Sequence, residues 1–378
     1  MKKHEAKKLV NDTFTQSYDE ERFRLFVHNL LQDYENLNEK ALAGSYIPDA
    51  FKDGILSYKR LAKFLDPEGL EIDVLAVKVP SRRTLENART MQRNFIARYL
   101  NGSRGGALKD AALVAFYSDD CEDWRFSLVR MDYVLDEEKQ KVHKELTPAR
   151  RYSFLVGKHE KTHTVRRQLL PVLQSETETT LAELEAAFNI ETVTKEFFEK
   201  YKALYLSLKD ALEKHLEKDG KTKAEFETKV IKTEDFAKRL LGQIVFLYFL
   251  QKKGWLGVTK GKEWGTGPKD FLQALYRSEY GEYRNFFNDV LEPLFYEALA
   301  TERHDNYYDH LKCRIPFLNG GLFEAIRNYD WVNTDILLDN AIFKEIFEVF
   351  DLYNFTVRED EPLDKEVAVD PEMLGKVL

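Results

Sequence analysis

Cysteine is nearly absent: the 378-residue chain has two, Cys121 and Cys313, far apart in sequence. That argues against a disulfide framework or a zinc site and leads us to expect a reducing, cytoplasmic compartment. Ten prolines and 18 glycines are too few for a low-complexity or fibrous chain. No run approaches the roughly 18 uninterrupted apolar residues of a membrane-spanning helix. The opening MKKHEAKKLVNDTF lacks the apolar core and small-residue cleavage site of a secretion signal. There is no Walker loop, no Rossmann fingerprint and no G-x-S-x-G elbow. What is present is core material: 43% hydrophobic residues, with 26 Phe and 19 Tyr, enough for two or three domains.

The net charge is −8, but it is segregated. Lys78 to Lys109 holds eight basic residues and one acid; Lys144 to Arg167 holds seven against two. These two stretches carry +7 and +5, which leaves −20 on the rest. A polyanion-binding face on an acidic body gives this pattern, and so do basic helices and loops that merely face water.

Periodicity predicts an α+β protein. An amphipathic helix is expected over 19–34, a hairpin over 57–64 and 70–79 joined by the turn DPEG, and a helix over 84–100. A second hairpin follows over 112–118 and 124–133, and 135–145 reads as a loop or short helix. We therefore expect an N-terminal α/β domain over 1–146, built as helix, hairpin, helix, hairpin. A basic connector follows over 147–175, turning helical near Thr164, then a mostly helical domain over 176–378. Its helices are expected at 194–216, 234–253, 270–277, 283–300 and 341–350. Thr233 is read as N-cap and Gly254 as the stop of the most apolar one. Asp370 and Pro371 would start a last helix that Leu378 cuts short, which suggests a truncated chain.

Four stretches could carry chemistry. On the strand Glu71–Lys78, Glu71 and Asp73 share one face and could hold Mg²⁺ for nuclease chemistry. The PD-(D/E)xK nucleases also need an E-x-K or D-x-K. None stands on a predicted strand here, and Lys78 falls on the opposite face. The acids of DDCED (119–123) could add a ligand, or could be a solvated turn. The alternative for Glu71 and Asp73 is a half-buried strand whose acids pair with nearby arginines.

The second stretch runs from Arg82 through Arg83, Arg89, Arg93 and Arg104 to Lys109, and its arginine forks suit phosphate oxygens. The third, with Arg150, Arg151, Lys158, Lys161, Arg166 and Arg167, interleaves bases with Tyr152 and Phe154 and suits the DNA backbone. Its His159 and His163 lack the H-E-x-x-H form and sit beside lysines that repel a cation. The fourth, IPFLNGGLFE (315–324), reads physically as a packed turn.

The runs ENARTMQRNFIARYLNGSRGGALKDAALVAFYS, DWRFSLVRMDY, TPARRYSFLVGKHE, FAKRLLGQIVFLYFLQKKGWLG, PFLNGGLFE and DPEMLGKVL resemble the N-terminal region of type IIG-like restriction–modification enzymes. Those proteins carry an adenine-N6 DNA methyltransferase domain. The resemblance spans Ser57 to Leu378 and implies double-stranded DNA as partner. It also implies a methyltransferase domain C-terminal to this chain, with S-adenosylmethionine as its methyl donor, and Mg²⁺ for cleavage of unmodified DNA. It suggests a degenerate restriction-endonuclease-like fold for the first domain. No F-x-G-x-G and no N-P-P-[YF] or D-P-P-[YF] occurs, so the donor's site lies outside this chain. A non-catalytic scaffold that docks the methyltransferase is the alternative.

Overall fold

A computed structural model describes residues 1–37, 39–102, 107–131, 149–318, 320–355 and 363–369. The chain is α+β and divides into two compact units. The first comprises residues 1–193 with 352–354 and 360–368; the second comprises 194–351 with 355–359 and 369–378.

The first unit begins with α1 (Lys3–Phe14) and α2 (Glu20–Leu31). α1 escaped the sequence reading, although Ala6, Val10 and Phe14 recur every four residues and are buried. Asp19 caps α2 by accepting from the Arg22 amide. Two short strands follow, β1 (Glu35–Asn36) and β2 (Leu42–Ala43), then the expected hairpin of β3 (Ser57–Leu65) and β4 (Glu71–Lys78). Its turn is DPEG: Asp66 Oδ1 accepts from the Glu68 and Leu70 amides, and Gly69 takes φ +85°.

The predicted helix over 84–100 is two helices, α3 (Arg82–Asn87) and α4 (Arg89–Leu100), broken at Ala88. The Gln92 amide donates to the Thr84 carbonyl at 2.9 Å and helps satisfy the break. The second hairpin is β5 (Ala111–Tyr117) and β6 (Asp123–Arg130). The stretch read as a connector is part of this unit. It forms β7 (Arg150–Gly157) and α5 (His163–Gln174), followed by α6 (Leu181–Ala187). The strand was hidden because Arg151 and Ser153 are polar yet buried, alternating with Phe154 and Val156. Residues 135–145, Arg104 and the Asp370–Pro371 helix start lie outside the described residues.

α7 (Ile190–Lys218) leads into the second unit, which continues with α8 (Gly220–Thr228), α9 (Thr233–Lys253) and α10 (Phe271–Tyr276). Lys232, not Thr233, occupies the N-cap position of α9 and makes no capping bond; Gly254 ends the helix at φ 70°, as expected. The segment expected as a helix over 283–300 is wound as a π-helix across Phe287–Leu291 and Pro293–Leu299. After it come the pair β8 (Tyr307–Tyr308) and β9 (Cys313–Arg314), and α11 (Asn340–Phe350). Strand β10 (Asp364–Glu366) returns to the first unit.

The sheet order is β1-β3-β4-β5-β6-β7-β10, with β2 also on β3. β4 and β5 are parallel, because α3 and α4 carry the chain across between them; the other long neighbours are antiparallel. On one face Phe14, Phe23, Phe26, Trp124, Phe126, Phe154 and Phe188 interlock edge-to-face and offset. On the other, Leu75, Val77, Val114 and Phe116 pack under Phe95, Ile96 and Leu100. No helix among the described residues is long and apolar enough to cross a membrane.

Candidate functional site

The side chains of Glu71 and Asp73 lie on the face of β4 that α4 covers. Asp73 is fully buried. Its Oδ1 accepts from Arg60 Nη2 at 2.6 Å and its Oδ2 from the Tyr99 hydroxyl at 2.5 Å, with Lys109 Nζ at 4.0 Å. Glu71 sits 3.5 Å from Lys109, 3.3 Å from Lys63 and 3.9 Å from Arg60. Burial works against the Arg60 charge, but the Asp73 bond and charge outweigh it and raise its pKa. Burial, followed by Asp73, drives the Tyr99 hydroxyl up, so it stays a donor.

Both Asp73 oxygens are thus hydrogen-bonded, and three cations surround the neighbouring Glu71. Mg²⁺ needs carboxylate oxygens left to it and its waters, and these residues do not fit it. No group of three His, Cys, Asp or Glu that could hold a metal occurs among the described residues. The DDCED turn brings no help, because it lies at the far end of β4, where Lys78 pairs with Asp119 at 2.5 Å. Residues 73 and 78 are about 17 Å apart along a strand. The arrangement matches the ion-pairing alternative for Glu71 and Asp73, with Arg60, Lys63 and Lys109 as partners.

The basic residues separate into groups. Arg89, Arg93 and Arg151 are buried, Arg151 completely, so they do not belong to a binding surface. Arg151 Nη1 donates to Gln92 Oε1 at 2.9 Å, and its guanidinium lies over the Phe116 ring at 5.6 Å. Beside it, Arg125 donates to Ser153 Oγ at 3.2 Å and Glu366 Oε2 at 3.1 Å. The sequence reading missed Arg125, Gln92 and Glu366. The signal was there in Asp123–Arg130, where Arg125 and Ser127 alternate with Trp124 and Phe126.

Arg150 is exposed at the end of the sheet where β7 begins, lining a groove with Arg130, Tyr152 and Lys365, and Lys109 belongs to the Asp73 network. At the opposite end, Arg82, Arg83, Lys158 and Lys161 are exposed. Arg82 and Lys158 are anchored on the acidic turn at 119–123. The Arg82 amide donates to Asp120 at 2.9 Å, Lys158 pairs with Glu122 at 2.6 Å, and the His159 amide donates to Asp123 at 2.8 Å. The N-terminus of α5 opens at this same end, with Arg166 and Arg167 in its opening turns. Among the described residues, the basic candidates do not form a single surface.

In the second unit, the IPFLNGGLFE stretch is a packed turn. Arg239 on α9 donates to the carbonyls of Gly321 and Glu324, and Gln243 donates to that of Leu322 at 2.7 Å. Glu292, between the two π-wound segments, was not foreseen. It is fully buried, and Tyr329 donates to its Oε1 at 2.5 Å while Oε2 has no hydrogen-bond partner among the described residues. Burial pushes this carboxyl up to about 9; the Tyr329 bond opposes that, and Asp335 and Asp289 add to it. Glu292 is therefore protonated at neutral pH.

Compared with known proteins, the chain matches no family model, no curated protein and no solved structure.

Proposed function

We propose that this chain is the DNA-engaging front portion of a restriction–modification enzyme, and that its first unit grips the sugar–phosphate backbone of duplex DNA. The observation that carries the reading is the convergence of two distant basic stretches. Arg82 and Arg83 at the start of α3, and Lys158 with Arg166 and Arg167 at the start of α5, lie at the same end of the sheet, where the Arg82 amide and Lys158 are both tied to the turn at 119–123. Adenine methylation, S-adenosylmethionine and a methyltransferase partner belong to the same proposal and rest on the sequence resemblance. Cleavage is not assigned to Glu71 and Asp73, whose charges serve the fold.

Backbone contacts release counterions, so log K falls with log salt by about 0.9 per neutralised phosphate. Duplex binding is measured from 50 to 200 mM salt for the chain and for a variant carrying Arg82→Ala, Arg83→Ala, Lys158→Ala and Lys161→Ala. The expected result is weaker binding and a slope shallower by about two to four units. An unchanged slope sinks the proposed surface, and no duplex binding at low salt would favour the scaffold alternative. Arg89, Arg93 and Arg151 are unsuitable for this test, because replacing them perturbs the core.

A further inference from the structure

Two tryptophans of the second unit are exposed at one cavity: Trp255 at 38% and Trp264 at 37%. The cavity has a volume of 390 Å³ and is completed by Glu302, Arg303, His304, Asn306, Pro316 and Phe317, with the cations Lys253 and Arg314 over the two indoles. We propose that it binds an unpaired nucleobase of a single-stranded nucleic acid, held by stacking on the indoles and by the basic rim.

The site is built rather than incidental. Trp255 follows the left-handed Gly254 that ends α9, and its amide donates to the Leu250 carbonyl at 3.0 Å. The segment bearing Trp264 is tied to the same corner, because the amides of Gly265 and Gly267 both donate to the Gly254 carbonyl at 3.0 Å. A side chain at Gly254 would meet the Gly265 carbonyl oxygen, so the two segments approach this closely only with glycine there. The opposite wall is equally fixed. Arg303 donates to the carbonyls of Glu297, Ala298, Thr301, Tyr307 and Ile315, and Arg314 to those of Lys262 and Asp305. Fixed aromatic surfaces lose little entropy on binding.

Charge decides which occupant fits. Residues 252–264 and 302–314 hold seven Lys or Arg against four acids, in a chain of net charge −8. Cations already lie over both indoles, Lys253 Nζ 4.9 Å from the Trp255 centroid and the Arg314 guanidinium 4.2 Å from that of Trp264. A basic rim attracts a phosphate chain and repels the ammonium of a methylated lysine. Paired bases hide their faces in the duplex, so exposed indoles select an unpaired one. This inference does not depend on the duplex surface of the first unit.

The test titrates the whole chain with a labelled 12-residue oligothymidylate at low salt, reading anisotropy and tryptophan quenching. Trp255→Ala and Trp264→Ala are each expected to weaken binding by about 5- to 150-fold, with Trp255→Phe retaining part of the affinity. Loss of tryptophan quenching in the two alanine variants separates this site from the duplex surface, because the first unit holds Trp124 alone and that indole is 1% exposed. Four results overturn the proposal: no saturable binding, equal affinity in both alanine variants, polyphosphate of matched charge competing as well as the oligonucleotide, or tighter binding of a trimethyl-lysine or proline-rich peptide. Circular dichroism verifies that the variants fold.

Discussion

Replacing Glu292 by glutamine should make the second unit more stable at alkaline pH. In the fold the carboxyl titrates at about 9, against an ordinary value of 4.5. The folded state therefore holds a proton that the unfolded state has released at any pH between these values. Stability from this group is complete below 4.5, declines as pH rises through the interval, and levels off above about 9. Each pH unit is worth about 1.4 kcal/mol, so between pH 5 and pH 8 the parent should lose about 4 kcal/mol through this residue alone. Glutamine keeps the shape and the acceptor for Tyr329 but cannot ionise, so the variant lacks that loss.

The assay is urea unfolding at pH 5, 6.5 and 8, followed by tryptophan fluorescence; three of the four tryptophans, Trp255, Trp264 and Trp331, lie in the second unit. Taking a denaturant slope of about 2 kcal/mol per molar, the midpoints of parent and variant should nearly coincide at pH 5 and separate by about 2 M at pH 8, the variant higher. Midpoints that stay parallel across this range would refute the claim that Glu292 is buried and neutral.

Asp73→Ala should destabilise the first unit by about 1.5 to 3 kcal/mol, because it removes the buried carboxylate that accepts from Arg60 and the Tyr99 hydroxyl; thermal unfolding reads this, and an unchanged transition would argue against a closed network. Gly254→Ala should cost more than about 1 kcal/mol, since φ 70° disfavours a side chain and the new methyl would strike the Gly265 carbonyl. A calorimetric scan of the variant checks this, and an unchanged transition counts against the tight corner at Gly254.

Local pattern alone carried much of the fold. Both hairpins, the DPEG turn, the apolar α9 and its glycine stop were legible because each depends on residues near in sequence: alternation, periodicity or a left-handed φ. The failures share a cause as well. Arg150–Gly157 looked like a surface connector because arginine ordinarily stays in water. Only the sheet, which sets Arg151 beside Gln92 and over Phe116, makes a strand of it. The single helix expected over 84–100 broke at Ala88, where the Gln92 side-chain amide reaches the Thr84 carbonyl eight residues back, across the break.

The same division holds for the sites. The sequence by itself determined that Glu71 and Asp73 share a face and that Lys78 does not, because side chains alternate along any strand. It also determined that basic residues are concentrated in two stretches. Which arginines reach solvent, that three cations close on Asp73 and Glu71, and that Trp255 and Trp264 share a cavity were decided only by the tertiary structure. These depend on long-range pairing and burial, which set a charge's surroundings and leave no local trace in the sequence.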